Sequence, residues 1–346
     1  MTLTIAVVGR KGGAGKSTTA FNLAGALAQG GGRVLLVDLD PQASLTGILL
    51  GERGAQGVGS ALGDPRASLE PLVTPCGGGL FPTLFLIPGD RAIERAAQDL
   101  SETPAGFYRL KKLLAPLRVQ YDALIIDTPP ALGFAISSAL LATRQAVLPT
   151  RTGQHDLDAL GDTIGLIQDQ EDLGGARLAA VVPCAVRPRE LHDRGSLEAL
   201  AATFGDLLAT PVPYSPRVLE SLTAREPLVS YDPHGGAAEA YRALAARLTH
   251  EGASQCLENH PRAHRSTLVG ARPRRPLSPA IIASSARVRY RSTKSCPIPT
   301  SRAATGAARR RSRISTSWLP ASRSSVSCSR SWCVRMEPLT TGARAM

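Results

Sequence analysis

The sequence predicts an α/β protein with a mostly parallel, twisted sheet and helices on both of its faces. Two observations support this prediction. Short apolar, β-branched runs alternate with longer Ala- and Leu-rich stretches at helical spacing, and a glycine-rich turn joins the first run to the first helical stretch. A chain of 346 residues, 43% of them hydrophobic, is long enough to bury such a sheet.

The predicted elements follow from these patterns in chain order. Six strands are expected, at residues 4–9, 33–38, 121–127, 146–149, 178–183 and 210–213. Seven helices are expected, at residues 17–29, 90–101, 107–117, 131–142, 156–168, 195–204 and 235–248. The Gly- and Pro-rich segment 51–88 has no clear period, and we interpret it as a loop with a short hairpin.

Charge divides the chain near Gly252. The whole sequence carries 40 Lys and Arg against 28 Asp and Glu, for a formal charge of +12. Residues 253–346 hold 18 of these bases and only two of the acids, which leaves residues 1–252 with a net charge of −4. We therefore predict a globular domain over residues 1–252 and a Ser/Arg-rich, disordered basic tail over 253–346.

The sequence shows no sign of export or of a membrane span. No basic and apolar leader precedes the first strand, and no apolar run reaches the roughly 18 residues that a span requires. Cys76 and Cys184, the cysteines before the tail, are far apart and indicate neither a zinc site nor a disulfide framework. We expect a soluble, cytoplasmic protein with no membrane partner.

A phosphate-binding loop is predicted where the first strand meets the first helix. Backbone N–H groups of such a loop converge on phosphate oxygens, Lys16 reaches the β- and γ-phosphates, and Ser17 ligates Mg²⁺. Arg10 stands where the generic G-x-x-x-x-G-K-[ST] motif has its first glycine, so the loop has the deviant form K-G-G-x-G-K-[ST]. The predicted ATP contacts here are Lys11, Gly12, Gly13, Ala14, Gly15, Lys16, Ser17 and Thr18.

Acidic residues close two of the predicted strands. Asp38 and Asp40 follow the second strand, where Asp40 is placed to orient or deprotonate an attacking water and Asp38 to support it. The alternative is that both only cap the helix after Pro41. Asp127 ends the strand L-I-I-D in a Walker B pattern and is expected to hold Mg²⁺ through water.

Together these segments resemble the ParA/MinD group of P-loop ATPases over roughly residues 2–250. Lys11 matches the signature lysine of the group, residues 38–46 match its D-x-D-P-Q-x-x-x-T segment, and residues 127–130 match its D-x-P-P segment. The resemblance implies a P-loop NTPase fold and an ATP-driven sandwich homodimer in which Lys11 acts on the partner's ATP. The implied catalytic residues are Lys11, Lys16 and Asp40.

A later segment, V-P-Y-S-P-R-V-L-E at 212–220, resembles the stretch in which the family frames adenine and contacts DNA. Pro213 and Arg217 match that stretch, whereas Ser215 stands where an Asn is expected. The resemblance implies that Pro213 and Ser215 lie at the base and that Arg217 contacts DNA. Arg187 and Arg189 lie where another DNA-facing arginine is found. For all three arginines the alternative is a solvated surface role.

The function implied is that of a ParA partition ATPase. ATP and Mg²⁺ would drive a dimer that binds nonspecific DNA on the nucleoid, and a ParB-like partner would stimulate hydrolysis as a plasmid or chromosome is segregated. The loop starts too near the N-terminus for a preceding helix-turn-helix domain, which favours the short form of the family.

Three rival functions fit the sequence less well. A MinD-like membrane-associated positioning ATPase requires an amphipathic C-terminal helix, which neither 235–250 nor the tail offers. A nitrogenase-type reductase requires a cysteine within 128–145, where there is none. A DNA-binding regulator with a degenerate nucleotide site conflicts with intact Lys16, Asp40 and Asp127.

The tail itself admits two interpretations. One is a native basic arm that binds DNA. The other is GC-rich DNA translated out of frame, which would yield much Trp, Cys, Ser and Arg and few acids. A frame shift from Ser317 to Glu337, with third bases chosen to fit, gives L-A-A-S-I-E-E-L-G-V-L-Q-P-I-L-V-R-P-D-G. That string resembles the N-terminal region of ParB proteins. We therefore hypothesise a frameshifted tail and a working domain that ends near Gly252.

Overall fold

Seven strands form one sheet in the computed structural model, which describes residues 2–51, 56–131 and 133–258. The strands are β1 (Leu3–Val7), β2 (Val34–Asp38), β3 (Thr74–Pro75), β4 (Leu84–Ile87), β5 (Ala123–Asp127), β6 (Gln145–Thr150) and β7 (Arg177–Pro183). Their order is β3-β4-β2-β5-β1-β6-β7, and every pairing is parallel except that of β3 with β4. The predicted fold class is confirmed.

Helices cover both faces of this sheet. They are α1 (Lys16–Gln29), α2 (Ser44–Leu50), α3 (Val58–Gly63), α4 (Ala92–Ser101), α5 (Arg109–Arg118), α6 (Phe134–Ala142), α7 (Gln154–Asp172), α8 (Leu191–Phe204), α9 (Pro216–Ala224), α10 (Leu228–Tyr231) and α11 (Gly236–Glu258). Short 3-10 turns lie at Glu70–Leu72, Gly106–Tyr108 and Gly205–Leu207. Among the described helices, none has the length and hydropathy to cross a membrane.

The strand side chains alternate between two cores, as a pleated sheet requires. In β1, Ile5 and Val7 join the core under α1, α10 and α11, whereas Ala6 joins the core under α3 to α6. In β2, Val34 and Leu36 face the first core and the intervening leucine faces the second. The strands are therefore buried on both faces, which is why they read as continuous apolar runs.

Five of the six predicted strands are confirmed to within three residues at each end. The sixth, 210–213, is wrong, because this stretch forms no strand and has a single isolated bridge, between Val186 and Pro213. Pro211 and Pro213 alternate there and cannot donate backbone hydrogen bonds to a ladder. Val212 still donates from its N–H to the carbonyl of Pro183 at 2.8 Å.

The segment 51–88 contains more structure than a loop with a hairpin. The hairpin exists as β3 and β4, but β4 also pairs in parallel with β2 and belongs to the buried sheet. Helix α3 lies within this segment as well, and α2, α9 and α10 elsewhere were also not expected. Helix α11 continues beyond Gly252 to Glu258. The rest of the predicted tail, from residue 259, lies outside the described residues.

Candidate active site

The phosphate loop connects the end of β1 to the first turn of α1. Gly13 and Gly15 adopt left-handed conformations, with φ of +74° and +96°. Residues with a Cβ rarely adopt this region, so these two positions require glycine. The loop thereby turns back so that α1 begins at Lys16, with the free N–H groups of its first turn at the loop.

Lys16 is buried inside this loop. Its Nζ donates a hydrogen bond to the carbonyl of Lys11 at 3.1 Å, which holds the ammonium beneath the loop backbone. Burial lowers the pKa of Lys16, and the charges of Asp127 and then Asp40 oppose this effect. The ammonium is therefore brought close to the two acids that were predicted to act with it.

Asp127 ends β5, the central strand, and is fully buried. Neither of its carboxylate oxygens accepts a hydrogen bond from the described residues. Burial first, and then the charge of Asp38, raise the pKa of Asp127 well above its ordinary value, while the nearby Ser17 hydroxyl and Lys16 oppose the rise. A buried carboxylate without a donor, beside a hydroxyl, suits a divalent cation with oxygen ligands. Ser17 and Asp127 thus fit the Mg²⁺ site predicted for them.

Asp38 serves a structural purpose at the end of β2. Its Oδ2 accepts hydrogen bonds from the backbone N–H and the hydroxyl of Thr46, at 2.8 and 2.7 Å. Thr46 lies in the first turn of α2, so Asp38 caps this helix from outside, which was one of the two alternatives. Burial raises the pKa of Asp38 to about 6, although the Thr46 hydrogen bonds oppose it.

Asp40 differs from Asp38, because its side chain does not cap α2. Its Oδ1 accepts a hydrogen bond from the N–H of Gln42 at 2.9 Å, and its carbonyl accepts one from Ala43 at 2.8 Å. Ala43, the residue before α2, has a φ of +49°, so the backbone turns sharply here. The turn leaves the Asp40 carboxylate near enough to Lys16 for its charge to act on the ammonium.

A further acid, Asp90, was missed by the sequence reasoning. The hydroxyl of Thr46 accepts a hydrogen bond from the N–H of Gly89 at 2.9 Å, and the adjacent Asp90 caps α3. Its Oδ2 accepts from the N–H groups of Gly57 and Ser60 at 2.6 and 3.1 Å, and from the Ser60 hydroxyl at 2.7 Å. The signal for Asp90 was an acid just after the apolar run 84–87.

The end of β7 packs against the phosphate loop. A Cβ on Gly15 would lie 3.4 Å from the Sγ of Cys184, which follows β7. Two residues later, the carbonyl of Val186 accepts a hydrogen bond from the N–H of Tyr214 at 2.8 Å. This pairing brings Pro213, a predicted adenine contact, to the same edge of the sheet as the loop. Ser215, the other predicted contact, uses its hydroxyl to cap α9 by accepting from the N–H of Arg217 at 3.2 Å.

Two of the predicted DNA-contacting arginines lie near each other at this end. Arg217 is exposed and pairs with Glu220 at 2.7 Å, and this pairing raises the pKa of Arg217. The Arg187 guanidinium lies 4.1 Å from the centre of the Tyr214 ring, and Tyr214 precedes Arg217 by three residues. Arg189 is also exposed, in the turn between β7 and α8.

Helix α1 links the phosphate loop to the arginine-bearing segment. The Oδ1 of Asn22 on α1 accepts a hydrogen bond from the N–H of Leu228, the first residue of α10, at 2.8 Å. One turn later, Gly25 lies so close to Pro227 that a Cβ added to it would sit 2.3 Å from the Pro227 Cβ. Helix α10 in turn contacts α9, which carries Arg217.

Comparison with protein families matches residues 2–174 to a family described as an AAA domain. The sporulation initiation inhibitor protein Soj of Bacillus subtilis is 30% identical over 252 residues, which cover 72% of this chain and 98% of Soj. The chromosome-partitioning ATPase Soj of Thermus thermophilus is 33% identical over 249 residues, covering 70% and 93%. The chromosome partitioning protein ParA of Caulobacter vibrioides is 30% identical over 248 residues, covering 70% and 91%.

Solved structures show the same fold. Cyanothece McdA, without nucleotide, is 25% identical with a TM-score of 0.64, and the match covers 72% of this chain and all of McdA. Cobyrinic acid a,c-diamide synthase of Mycobacterium smegmatis, bound to an ATP analogue and magnesium, is 27% identical with a TM-score of 0.63, covering 74% and 97%. The matches to the partition proteins and the geometry of the phosphate loop, Lys16 and Asp127 agree: the chain belongs to the ParA family, and it is a P-loop ATPase that uses ATP and Mg²⁺.

Proposed function

We propose that this ATPase partitions DNA. ATP would bring two copies together as a sandwich dimer, the dimer would bind nonspecific DNA and so associate with the nucleoid, and a ParB-like partner would stimulate hydrolysis and release. The observation that carries the proposal is the convergence of Lys16, Asp40 and Asp127 beside a loop that displays an exposed Lys11.

The chain's own residues account for the steps of hydrolysis. The loop N–H groups and Lys16 would bind and orient the phosphates, because they form a fixed cationic cradle that needs little rearrangement. Asp40 would hold the attacking water and accept its proton, while Asp38 keeps the Asp40 turn and α2 in register. Ser17 and Asp127 would hold Mg²⁺, which would supply positive charge to neutralise the phosphates.

Dimerisation would complete this site. Lys11 is exposed, and its carbonyl rather than its side chain holds Lys16. In the dimer, its ammonium would extend from this exposed part of the loop towards the second copy. A cation supplied from the partner would stabilise charge that develops on the transferred phosphate, so hydrolysis would depend on assembly.

The DNA surface would include Arg217, Arg187 and Arg189. Arg217 and Arg187 are each exposed and close to a single glutamate, Glu220 and Glu190. Exposed ion pairs are weak, so a phosphate can displace either glutamate at little cost. Contacts of this kind read no sequence, as nonspecific binding requires.

The experiment is ATP turnover by the full chain alone, with nonspecific DNA, and with DNA plus the product of the neighbouring gene. Turnover is expected to rise with DNA and to rise further with the partner. Turnover that responds to neither, in a protein that binds ATP, would contradict the partition function. Turnover that responds instead to anionic vesicles would favour a MinD-like role.

Arg217→Glu tests the DNA surface separately. It is expected to weaken DNA binding for every sequence and to flatten the dependence of affinity on salt, because one phosphate contact is lost. ATP binding should be retained. Arg95→Glu is the matched control, since Arg95 is an exposed arginine that faces Asp99 one turn along α4. If the affinity for DNA depends on salt equally in the two variants, Arg217 is a solvated surface residue that does not contact DNA.

A further inference from the structure

Helices α5, α6 and α7 end side by side at the edge of the sheet opposite the phosphate loop, where β5, β6 and β7 begin. The Arg118 guanidinium at the end of α5 donates to the carbonyl of Ala142 at the end of α6. The N–H of Ala176, just after α7, donates to the carbonyl of Leu140 at 2.8 Å. These bonds join the three helix ends into one surface.

The α5 side of this surface is cationic. Lys111 and Arg118 are two turns apart on α5, about 10 Å along the helix. Burial lowers the pKa of Lys111, and the nearby charges of Arg118 and Arg144 lower it further. Within the described residues, none of the ion pairs found neutralises these three cations.

The α7 side of the surface is acidic. Asp169, Glu171 and Asp172 are exposed at the end of α7. The charge of Arg177 acts on Glu171, and the N–H of Arg177 donates to the carbonyl of Arg144 at 3.2 Å, so the acidic and cationic sides adjoin.

Each side also exposes a large apolar residue. Val119, directly after α5, is 89% exposed, and Leu173, directly after α7, is 59% exposed. These two side chains stand next to charges of opposite sign, Arg118 and Asp172.

We propose that this surface, defined by Lys111, Arg118, Val119, Arg144, Asp169, Glu171, Asp172 and Leu173, is a second homodimer interface. A two-fold axis between its sides places the cationic side of one copy against the acidic side of the other and covers Val119 and Leu173. A second copy fits better than DNA or an acidic partner, because either of those would repel one side. The interface needs no nucleotide and is separate from the proposed sandwich.

The test is sedimentation of the full, nucleotide-free chain at about 50 mM and about 500 mM salt, across a concentration series. A monomer–dimer equilibrium that weakens at the higher salt is expected. Lys111→Glu and Asp172→Lys should each weaken dimerisation by about tenfold or more, since each faces like charges across the axis. An equimolar mixture of the two variants should dimerise again, because every facing pair is then opposite in charge. Arg95→Glu, on α4, should dimerise as the wild type does.

The proposal would be overturned by a wild-type chain that stays monomeric throughout the series, by single variants that dimerise normally, or by a mixture that fails to recover. Open-ended growth without nucleotide would exclude the two-fold arrangement. Binding of DNA that is lost in Lys111→Glu, with a monomeric wild type, would make the surface a nucleic-acid site instead.

Discussion

Asp38 and Asp127 lie opposite each other at the ends of adjacent strands, β2 and β5, and both are fully buried. The pKa of Asp38 is raised from 3.8 to about 6, and that of Asp127 is raised as well. Between pH 3.8 and about 6 Asp38 therefore binds more protons in the folded protein than in the unfolded chain. The contribution of this pair to the free energy of unfolding falls as the pH rises through this window.

Asp127→Asn should reverse much of this loss of stability at higher pH. We expect the nucleotide-free variant to match the wild type near pH 4 and to be about 1–3 kcal/mol more stable above pH 7, because a buried like charge has been removed. Urea unfolding with a chelator at both pH values measures the difference. Adding ATP and Mg²⁺ should stabilise the wild type more than the variant, and equal stability of the two at every pH would contradict the coupling.

Asp40→Asn separates catalysis from folding. The amide oxygen can still accept the hydrogen bond from Gln42, so the turn should persist, but the base is lost. ATP turnover should fall by about 100-fold or more, with ATP binding and dimerisation retained and the protein locked on DNA. Asp40→Ala should hydrolyse as slowly and also lose some stability. Wild-type turnover in Asp40→Asn would remove Asp40 from the mechanism.

Substitution of the two lysines of the loop should impair different steps, ATP binding for Lys16 and assembly or hydrolysis for Lys11. Lys16→Ala should weaken ATP binding by at least about 2 kcal/mol, roughly 30-fold, because a buried cation no longer meets the phosphates. Lys11→Ala should still bind ATP but lose the ATP-driven dimerisation or turnover. Titration with a fluorescent ATP analogue, beside light scattering, distinguishes them. Equal affinity in the wild type and both variants would refute the assignment of the loop.

Gly25 tests the contact between α1 and α10. Gly25→Ala should destabilise the fold by about 1–3 kcal/mol, because the new methyl group meets the rigid Pro227 ring. Gly165 on α7 is the control, since a Cβ there meets nothing within 4 Å. Gly165→Ala should stabilise α7 by about 0.5–1 kcal/mol. Thermal unfolding measures both. A Gly25→Ala protein as stable as the wild type would show that α1 and Pro227 can move apart at little energetic cost.

A chain that ends at Glu258, where α11 ends, should keep ATPase activity and ATP-dependent DNA binding. The reason is that every residue assigned to the site precedes this point. Loss of both activities, in a shortened protein that still folds, would make the basic tail a functional arm.

The origin of the tail is decided by the nucleotide sequence. We expect the shifted frame after codon 252 to read without early stops into a ParB-like sequence. Stops, or an unrelated sequence, would end the frameshift hypothesis.

The parts of the site that could be predicted are those whose chemistry is local in sequence. The sequence alone identifies the loop glycines, Lys16 and the strand-ending Asp127, because a phosphate cradle needs those residue types at short, fixed spacings. The sheet was predictable for the same reason, since strands buried on both faces are short continuous apolar runs.

The parts that could not be predicted depend on contacts between distant segments. Asp90 caps a helix that begins more than 30 residues earlier in the chain, and no local pattern records that pairing. An acid that follows a strand can cap a helix or take part in catalysis, and the sequence does not distinguish the two. The hydrogen bonds do, because the Asp38 side chain caps α2 and the Asp40 side chain does not. Strand β4 was hidden among glycines and prolines whose turns dominate the local composition.

The contact of Asn22 with Leu228 ties α1, which starts at the phosphates, to the segment that follows Arg217. If α1 moves when the γ-phosphate arrives or leaves, α10 and α9 must move with it. Coupling between two binding sites is reciprocal, so DNA held at Arg217 would change the affinity for ATP by the same factor as ATP changes the affinity for DNA. If ATP strengthens DNA binding, such a protein would also bind ATP most tightly where DNA is most abundant.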